Sequence, residues 1–216
     1  MARRSSLLIF VAAFVGPLLL FAALAAQVTE GSGPGWDGSL IRLVRGLGEL
    51  PVPAGTQEMI DNSTAAGAIV LAGLVLLLAA GKRFRDALFV TAAVTGVVLF
   101  DPLLKGAFER QPRGDAVGFS FPSGSAMASM TVVAVVVILA WPTRARWLVV
   151  LGGAAFVFAY GAAIVDLGWH YPSDVLAGWC IALVWVSALC LLGRTRPTSG
   201  FLSKAKRTSG ADLGGR

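Results

Sequence analysis

Six long apolar runs constrain this chain more than any other feature of its sequence. A helix needs about 17 to 25 mainly apolar residues to cross a bilayer. Runs of that kind occupy residues 6–26, 64–81, 87–104, 124–141, 147–165 and 175–192. The chain is 14% charged, whereas a soluble domain carries about 25% charged residues. The pattern predicts an all-α integral membrane bundle of six transmembrane helices, formed by residues 1–193.

The basic residues predict how this bundle is oriented. Thirteen of the 18 Lys and Arg precede the first run, follow the second and fourth runs, or lie in the tail 194–216. Such clusters mark the cytoplasmic side of a membrane protein. Both termini are therefore predicted to be cytoplasmic, and the basic tail, rich in Gly, Ser and Thr, to be disordered. Because topology accounts for the net charge of +6, no nucleic-acid partner is expected.

The first apolar run admits two interpretations. Arg3 and Arg4 precede it and Ala-Leu-Ala-Ala (23–26) ends it, which is typical of a signal peptide. Its length of about twenty residues favours a retained transmembrane helix instead. In the external loop that follows, residues 27–63, five apolar residues recur at helical spacing and predict an interfacial helix on the membrane surface. These residues are Leu40, Leu43, Val44, Leu47 and Leu50.

The stretch 168–178 contains the single histidine of the chain, His170. Asp174 follows it four residues later, about one helical turn, where the last apolar run begins. A carboxylate at that spacing fixes the tautomer of an imidazole and strengthens it as a base or nucleophile. The alternative is an interfacial histidine beside an aspartate that serves only as a helix N-terminal charge.

The external loop between the third and fourth runs combines cations with a turn. The cations are Lys105, Arg110 and Arg113, and the turn is Pro122, Ser123, Gly124 and Ser125. A helix N-terminus presents unpaired N–H groups and the positive end of the helix dipole, so the turn is a candidate anion site. The nearby arginines and lysine would add the positive charge that a phosphate site needs. Asp101, inside the third run, is expected to pair with Lys105. The alternative is ordinary capping beside cations that attract lipid headgroups.

Taken together, these residues resemble the type 2 phosphatidic acid phosphatase superfamily of integral membrane lipid phosphatases. The family pattern is a lysine followed six residues later by Arg-Pro, then Pro-Ser-Gly-His, then Ser-Arg, five residues, His, three residues and Asp. The matching positions are Lys105, Pro122, Ser123, Gly124, His170 and Asp174. The resemblance implies that His170 attacks phosphorus to form a phosphohistidine, that Asp174 orients it, and that the cations and the turn hold the phosphoryl oxygens. With one histidine and dispersed carboxylates, no metal or other cofactor is expected.

The chain departs from the family pattern at three places. It has Pro112-Arg113 for Arg-Pro, Ser125 for the histidine of the second motif, and Ala163-Ile164 for Ser-Arg. The usual general acid and one phosphate-binding arginine are therefore missing. A serine hydroxyl cannot replace the acid, because a useful proton donor needs a pKa near the ambient pH.

Two functional interpretations follow from these departures. The first is an enzyme that hydrolyses a lipid phosphate or diphosphate at the external face of the membrane. A polyprenyl diphosphate is favoured, because its leaving group is a phosphate ester with a second pKa of about 6 that needs little protonation. The second is a catalytically inactive relative that binds lipid phosphate headgroups or serves as a membrane subunit. Retention of both His170 and Asp174 favours the enzyme.

Overall fold

The computed structural model describes residues 2–29, 33–46, 71–113 and 117–193. All regular secondary structure in these ranges is helical, which confirms the all-α prediction. The helices are α1 Ala2–Thr29, α2 Asp37–Gly46, α3 Leu71–Ala80, α4 Phe84–Phe108, α5 Gly124–Ala140, α6 Arg146–Asp166 and α7 Pro172–Gly193. The basic tail 194–216 lies outside the described residues, so its predicted disorder stays a prediction.

Four helices within the described ranges are long and apolar enough to cross a membrane. They are Val11–Thr29 within α1, and α4, α6 and α7. The apolar helices α3 and α5 are shorter, with α5 reaching 17 residues. These helices indicate a multi-pass membrane protein. The count of six spans stays a prediction, since the second predicted span, 64–81, lies partly outside the described residues.

A helix is present where the sequence predicts one, between the first two apolar runs. Helix α2 begins at Asp37 and ends at Gly46. Its first residue is buried, whereas Leu40 and Leu43 are exposed. An exposed apolar side on a short helix is typical of interfacial helices, although its place on the membrane surface, and residues 47–63, remain matters of prediction.

Helix α7 lies at the centre of the described bundle and packs against α1, α4, α5 and α6. Its approach to α5 is closest at Gly178, where an added Cβ would lie 2.5 Å from the carbonyl oxygen of Ser123 and 3.1 Å from the amide nitrogen of Met127. One turn earlier on α7, the carbonyl oxygen of Asp174 accepts a hydrogen bond from the Ser123 amide at 3.0 Å. Glycine at 178 therefore brings the second and third motifs together.

Replacement of Gly178 by alanine should loosen this contact. The new methyl group meets backbone atoms of α5 that cannot rotate away, so we expect a loss of about 1–3 kcal/mol of unfolding free energy. Gly152→Ala, in a helical position with open space around the added Cβ, should be neutral or stabilise by up to about 1 kcal/mol. Thermal unfolding of both detergent-purified variants measures the difference. Equal melting temperatures would contradict the close packing of α5 on α7.

Candidate active site

His170 lies in the loop between α6 and α7, and its ring is held through one nitrogen. Nδ1 is 3.0 Å from the carbonyl oxygen of Ser120. Because a carbonyl oxygen only accepts hydrogen bonds, Nδ1 carries the proton and donates it to this contact. The lone pair of the neutral ring is then on Nε2. The side chain is 14% exposed, so protein encloses most of the ring.

The carbonyl that holds His170 is itself held by the preceding loop. The Ser120 amide donates to the carbonyl oxygen of Arg110 at 2.9 Å. The next residue, Phe121, is fully buried. Its ring stacks on Phe21 of α1 at 5.9 Å between centroids and meets the edge of Phe108 of α4 at 5.0 Å. The acceptor for the imidazole is therefore anchored to two helices.

Asp174, in the first turn of α7, is fully buried beside the same imidazole. Its Oδ2 accepts from the Tyr171 amide at 2.9 Å, and its Oδ1 accepts from Arg110 at 2.5 Å. The distance from Oδ2 to His170 Nδ1 is 3.6 Å, which is too long for a hydrogen bond. The hydrogen bond on Nδ1 thus goes to Ser120, and the carboxylate is placed to stabilise positive charge on the ring.

Arg110 connects three parts of the site. Nη1 donates to Asp174 and, at 2.7 Å, to Ser173 Oγ, while Nη2 donates to Asp37 Oδ2 at 3.0 Å. The guanidinium also lies 4.0 Å above the centre of the Tyr171 ring. Both terminal nitrogens thus already have protein acceptors. The predicted phosphate contact of Arg110 stays a prediction, and the contacts present here are those of a residue that holds neighbouring groups in place.

Lys105 and the turn before α5 are joined through Asp101. Lys105 Nζ lies 3.1 Å from Asp101 Oδ1, the pairing that the spacing of the two residues predicts. The approach is electrostatic, because Oδ1 accepts no aligned hydrogen bond. The same carboxyl group lies against the backbone of α5, where a Cβ added at Gly124 would be 2.7 Å from Asp101 Cγ. Asp101 therefore sets Lys105 beside the first turn of α5.

Ser123 caps α5 and leaves amide donors beyond it. Its Oγ accepts from the Ala126 amide at 3.3 Å and lies 3.2 Å from Ser125 Oγ. Its own amide is used by Asp174. The first amides of a helix have no partner inside the helix, and those of Gly124 and Ser125 donate to no protein group within the described ranges. These two N–H groups are donors available at the positive end of α5, where the sequence predicts an anion site, and phosphate binding there stays a prediction.

Comparison with known proteins places these motifs in one family. Residues 97–198 match the family model described as the PAP2 superfamily. The match covers 102 of the 216 residues of the chain. It contains every site residue that the sequence predicts, from Lys105 to Asp174, and it confirms the resemblance to type 2 phosphatidic acid phosphatases.

A solved structure shares the fold of this chain. It is described as the first transmembrane PAP2 type phosphatidylglycerolphosphate phosphatase from Bacillus subtilis. The two chains are 22% identical with a TM-score of 0.65, and the match covers 85% of this chain and 96% of the other. A comparison with curated proteins finds no match.

The PAP2 segment contains an apolar residue where the family pattern has its third-motif arginine. Ile164 is fully buried and packs with Ala126, Val165 and Val175. This position thus belongs to the apolar core between α5, α6 and α7. An arginine could not replace it without placing a charge among apolar side chains.

Arg113, the displaced arginine of the first motif, lies next to that position. Its Nη1 donates to the carbonyl oxygens of Val165 at 3.0 Å and His170 at 3.2 Å. Its Nε and Nη2 donate to no protein group in the described part of the chain, so they remain available to an anion. Arg113 therefore has more unused donors than Arg110, and it is attached to the backbone of His170 itself. Its predicted contact with phosphate stays a prediction.

Sequence reasoning missed Asp37, which lies outside the PAP2 segment. This carboxylate is 5% exposed. It accepts from the Ser173 amide at 2.9 Å and from Ser173 Oγ at 2.6 Å, across 136 positions of the chain. The only local signal is an acidic residue directly after Gly-Pro-Gly-Trp (33–36) at the head of the amphipathic segment.

Proposed function

We propose that this protein is a membrane lipid phosphatase that hydrolyses a lipid phosphate or diphosphate through a phosphohistidine at His170. The observation that carries the proposal is the contact of His170 Nδ1 with the Ser120 carbonyl at 3.0 Å. It leaves Nε2 as the nucleophilic nitrogen of a fixed ring. The PAP2 match and the similarity in fold to a phosphatidylglycerolphosphate phosphatase support a phosphorylated lipid as the substrate.

The reaction proceeds in two displacements. Nε2 of His170 attacks phosphorus, the bond from phosphorus to the leaving oxygen breaks, and the phosphorylated imidazole gains positive charge that Asp174 stabilises. Water then attacks the phosphohistidine, and phosphate leaves as the neutral ring is restored. In both steps Arg113, Lys105 and the amides of α5 neutralise the phosphoryl oxygens, which is the largest contribution that a protein makes to phosphoryl transfer.

The substrate we favour is a polyprenyl diphosphate at the external face of the membrane. Ser125 stands where the family pattern has an acidic histidine, and its hydroxyl is 3.2 Å from another hydroxyl, Ser123 Oγ. Neither hydroxyl is a proton donor of suitable pKa. A diphosphate expels a phosphate ester that departs without protonation, whereas a monophosphate expels an alkoxide that requires it. The site therefore suits an anhydride better than an ester.

Introducing the missing acid should change this preference. Ser125→His places an imidazole on the first turn of α5, and we expect hydrolysis of a lipid monophosphate to rise about tenfold or more, since a general acid contributes about 10²- to 10⁴-fold. Hydrolysis of the diphosphate should change little. Rates for both substrates in mixed micelles measure the ratio, and Ser125→Gln, of similar size but not an acid, is the control. A monophosphate rate that stays unchanged, or rises equally in Ser125→Gln, would contradict the argument.

Phosphate release tests the function itself. Purified protein is incubated with a polyprenyl diphosphate, phosphatidylglycerol phosphate or phosphatidic acid, and the same assay is run on His170→Ala. An enzyme releases phosphate from at least one lipid and loses this activity in the variant.

A headgroup-binding protein is the second candidate, which the buried Ile164 and the presence of Ser125 favour. Such a protein releases no phosphate as the wild type or as His170→Ala. It nevertheless binds the lipids, and binding weakens in Lys105→Ala and Arg113→Ala, since these cations hold the phosphate in both interpretations.

A further inference from the structure

We infer that Asp37 is a positioning residue for the reaction, acting on His170 through Arg110. The inference rests on the proposed function and adds a residue outside the three motifs. Asp37 is the first residue of α2, and its two carboxylate oxygens contact both Arg110 and Ser173. Because it touches neither His170 nor the anion site, its effect passes through the groups that it holds.

Arg110 contacts the surroundings of His170 at three points. Its carbonyl oxygen accepts from the amide of Ser120, whose own carbonyl holds Nδ1 of the imidazole. Its guanidinium binds the Asp174 carboxylate, which lies 3.6 Å from the same nitrogen. It also stacks on Tyr171, the next residue after the histidine. A change in the orientation of Arg110 therefore reaches the nucleophile by several contacts at once.

Asp37 fixes that orientation from the side opposite Asp174. The guanidinium lies between the two carboxylates, at 3.0 Å from Asp37 and 2.5 Å from Asp174, and its side chain is 12% exposed. Gly33, just before α2, allows this placement, because a Cβ there would lie 2.5 Å from Arg110 Nη2. Without the charge of Asp37, only Asp174 holds the guanidinium by a full charge, and the arginine can turn about that contact.

Asp37 also holds the start of α7 through Ser173, so a purely structural role must be distinguished. That role depends on the Ser173 amide and hydroxyl and does not require Arg110. A positioning role does require Arg110. The two therefore differ in whether the effect of removing the Asp37 charge persists once Arg110 is gone.

The test is a mutant cycle on the full chain, assayed by phosphate release from a polyprenyl diphosphate. For Asp37→Asn we expect kcat to fall about tenfold or more, since small misplacements of a reacting group cost that much. KM should change by less than about twofold, because the anion site is intact. In an Arg110→Gln background, assayed at a temperature where thermal unfolding shows that variant to be folded, the same substitution should lower kcat by less than about twofold further. Asp86→Asn, which alters another buried carboxylate paired with an arginine, should match the wild type.

Three results would overturn the inference. A kcat for Asp37→Asn equal to that of the wild type excludes any positioning effect. An equal fall in kcat in the Arg110→Gln background assigns the effect to Ser173 and the helix start alone. A rise in KM without a fall in kcat assigns Asp37 to binding. If the wild type releases no phosphate, the proposed function and this inference both fail, whereas an active wild type with an unaffected variant rejects the inference alone.

Discussion

Replacing His170 with glutamine abolishes phosphate release in this account. Glutamine retains an N–H donor for the carbonyl of Ser120 but has no nucleophilic nitrogen, so the covalent step is lost while the local packing is largely kept. Removing an essential nucleophile lowers kcat by about four orders of magnitude or more. The described part of the chain offers no second imidazole to take over, because His170 is the single histidine of the sequence.

The measurement is phosphate release under conditions where the wild-type rate is linear, with thermal unfolding of the same preparations. A melting temperature close to that of the wild type shows that the loss is chemical. Binding of the lipid diphosphate should persist, because Arg113, Lys105 and the α5 amides are unchanged. A variant that retains a tenth of the wild-type rate would exclude His170 as the nucleophile, since that loss is far smaller than the removal of a nucleophile causes.

Replacing Arg110 with methionine has the largest expected effect on stability. Asp37 is 5% exposed and Asp174 is fully buried, and each pairs with this guanidinium. Methionine keeps much of the side-chain volume but leaves two buried carboxylates without their cation. Removing one partner of a buried ion pair costs about 3–5 kcal/mol. The fold should therefore be strongly destabilised, and activity should fall with it.

The matched control is Arg83→Met. Arg83 pairs with Asp86 at 2.7 Å, but its side chain is 43% exposed, and an exposed pair contributes about 1 kcal/mol or less. Thermal or denaturant unfolding in a fixed detergent compares the two variants. If both lose the same stability, or neither loses any, the Arg110 cluster does not hold the site together as described.

The apolar helices follow from the sequence because hydropathy along one helix is a local property. The last run, predicted at 175–192, corresponds to α7, which begins at Pro172 and ends at Gly193. Proline suits the first position of a helix, where its missing N–H has no partner. The run predicted at 87–104 continues as α4 from Phe84 to Phe108. Polar residues such as Asp86 and Lys105 extend this helix beyond its apolar centre, so hydropathy alone ends it too early.

The motif residues were identifiable for the same reason, since each motif spans only a few positions. The groups that hold these motif residues in place could not be identified from the sequence. Ser120 acts through its backbone carbonyl, which no side-chain pattern reports. Asp37 meets Ser173 only because α2 folds against the start of α7, and spacing along the chain carries no information about such a contact. The pairing of Asp174 with Arg110, likewise, depends on how the loop after α4 returns across α7.

The most direct measurement of the central claim is to trap the phosphorylated enzyme. The protein is mixed briefly with a polyprenyl diphosphate, quenched in base because a phosphorus–nitrogen bond is labile in acid, and digested for mass spectrometry. We expect one phosphoryl group on the peptide that contains His170, formed as fast as phosphate is released and absent from His170→Gln. Sustained turnover with no phosphoryl group on His170, or with one on another residue, would contradict it.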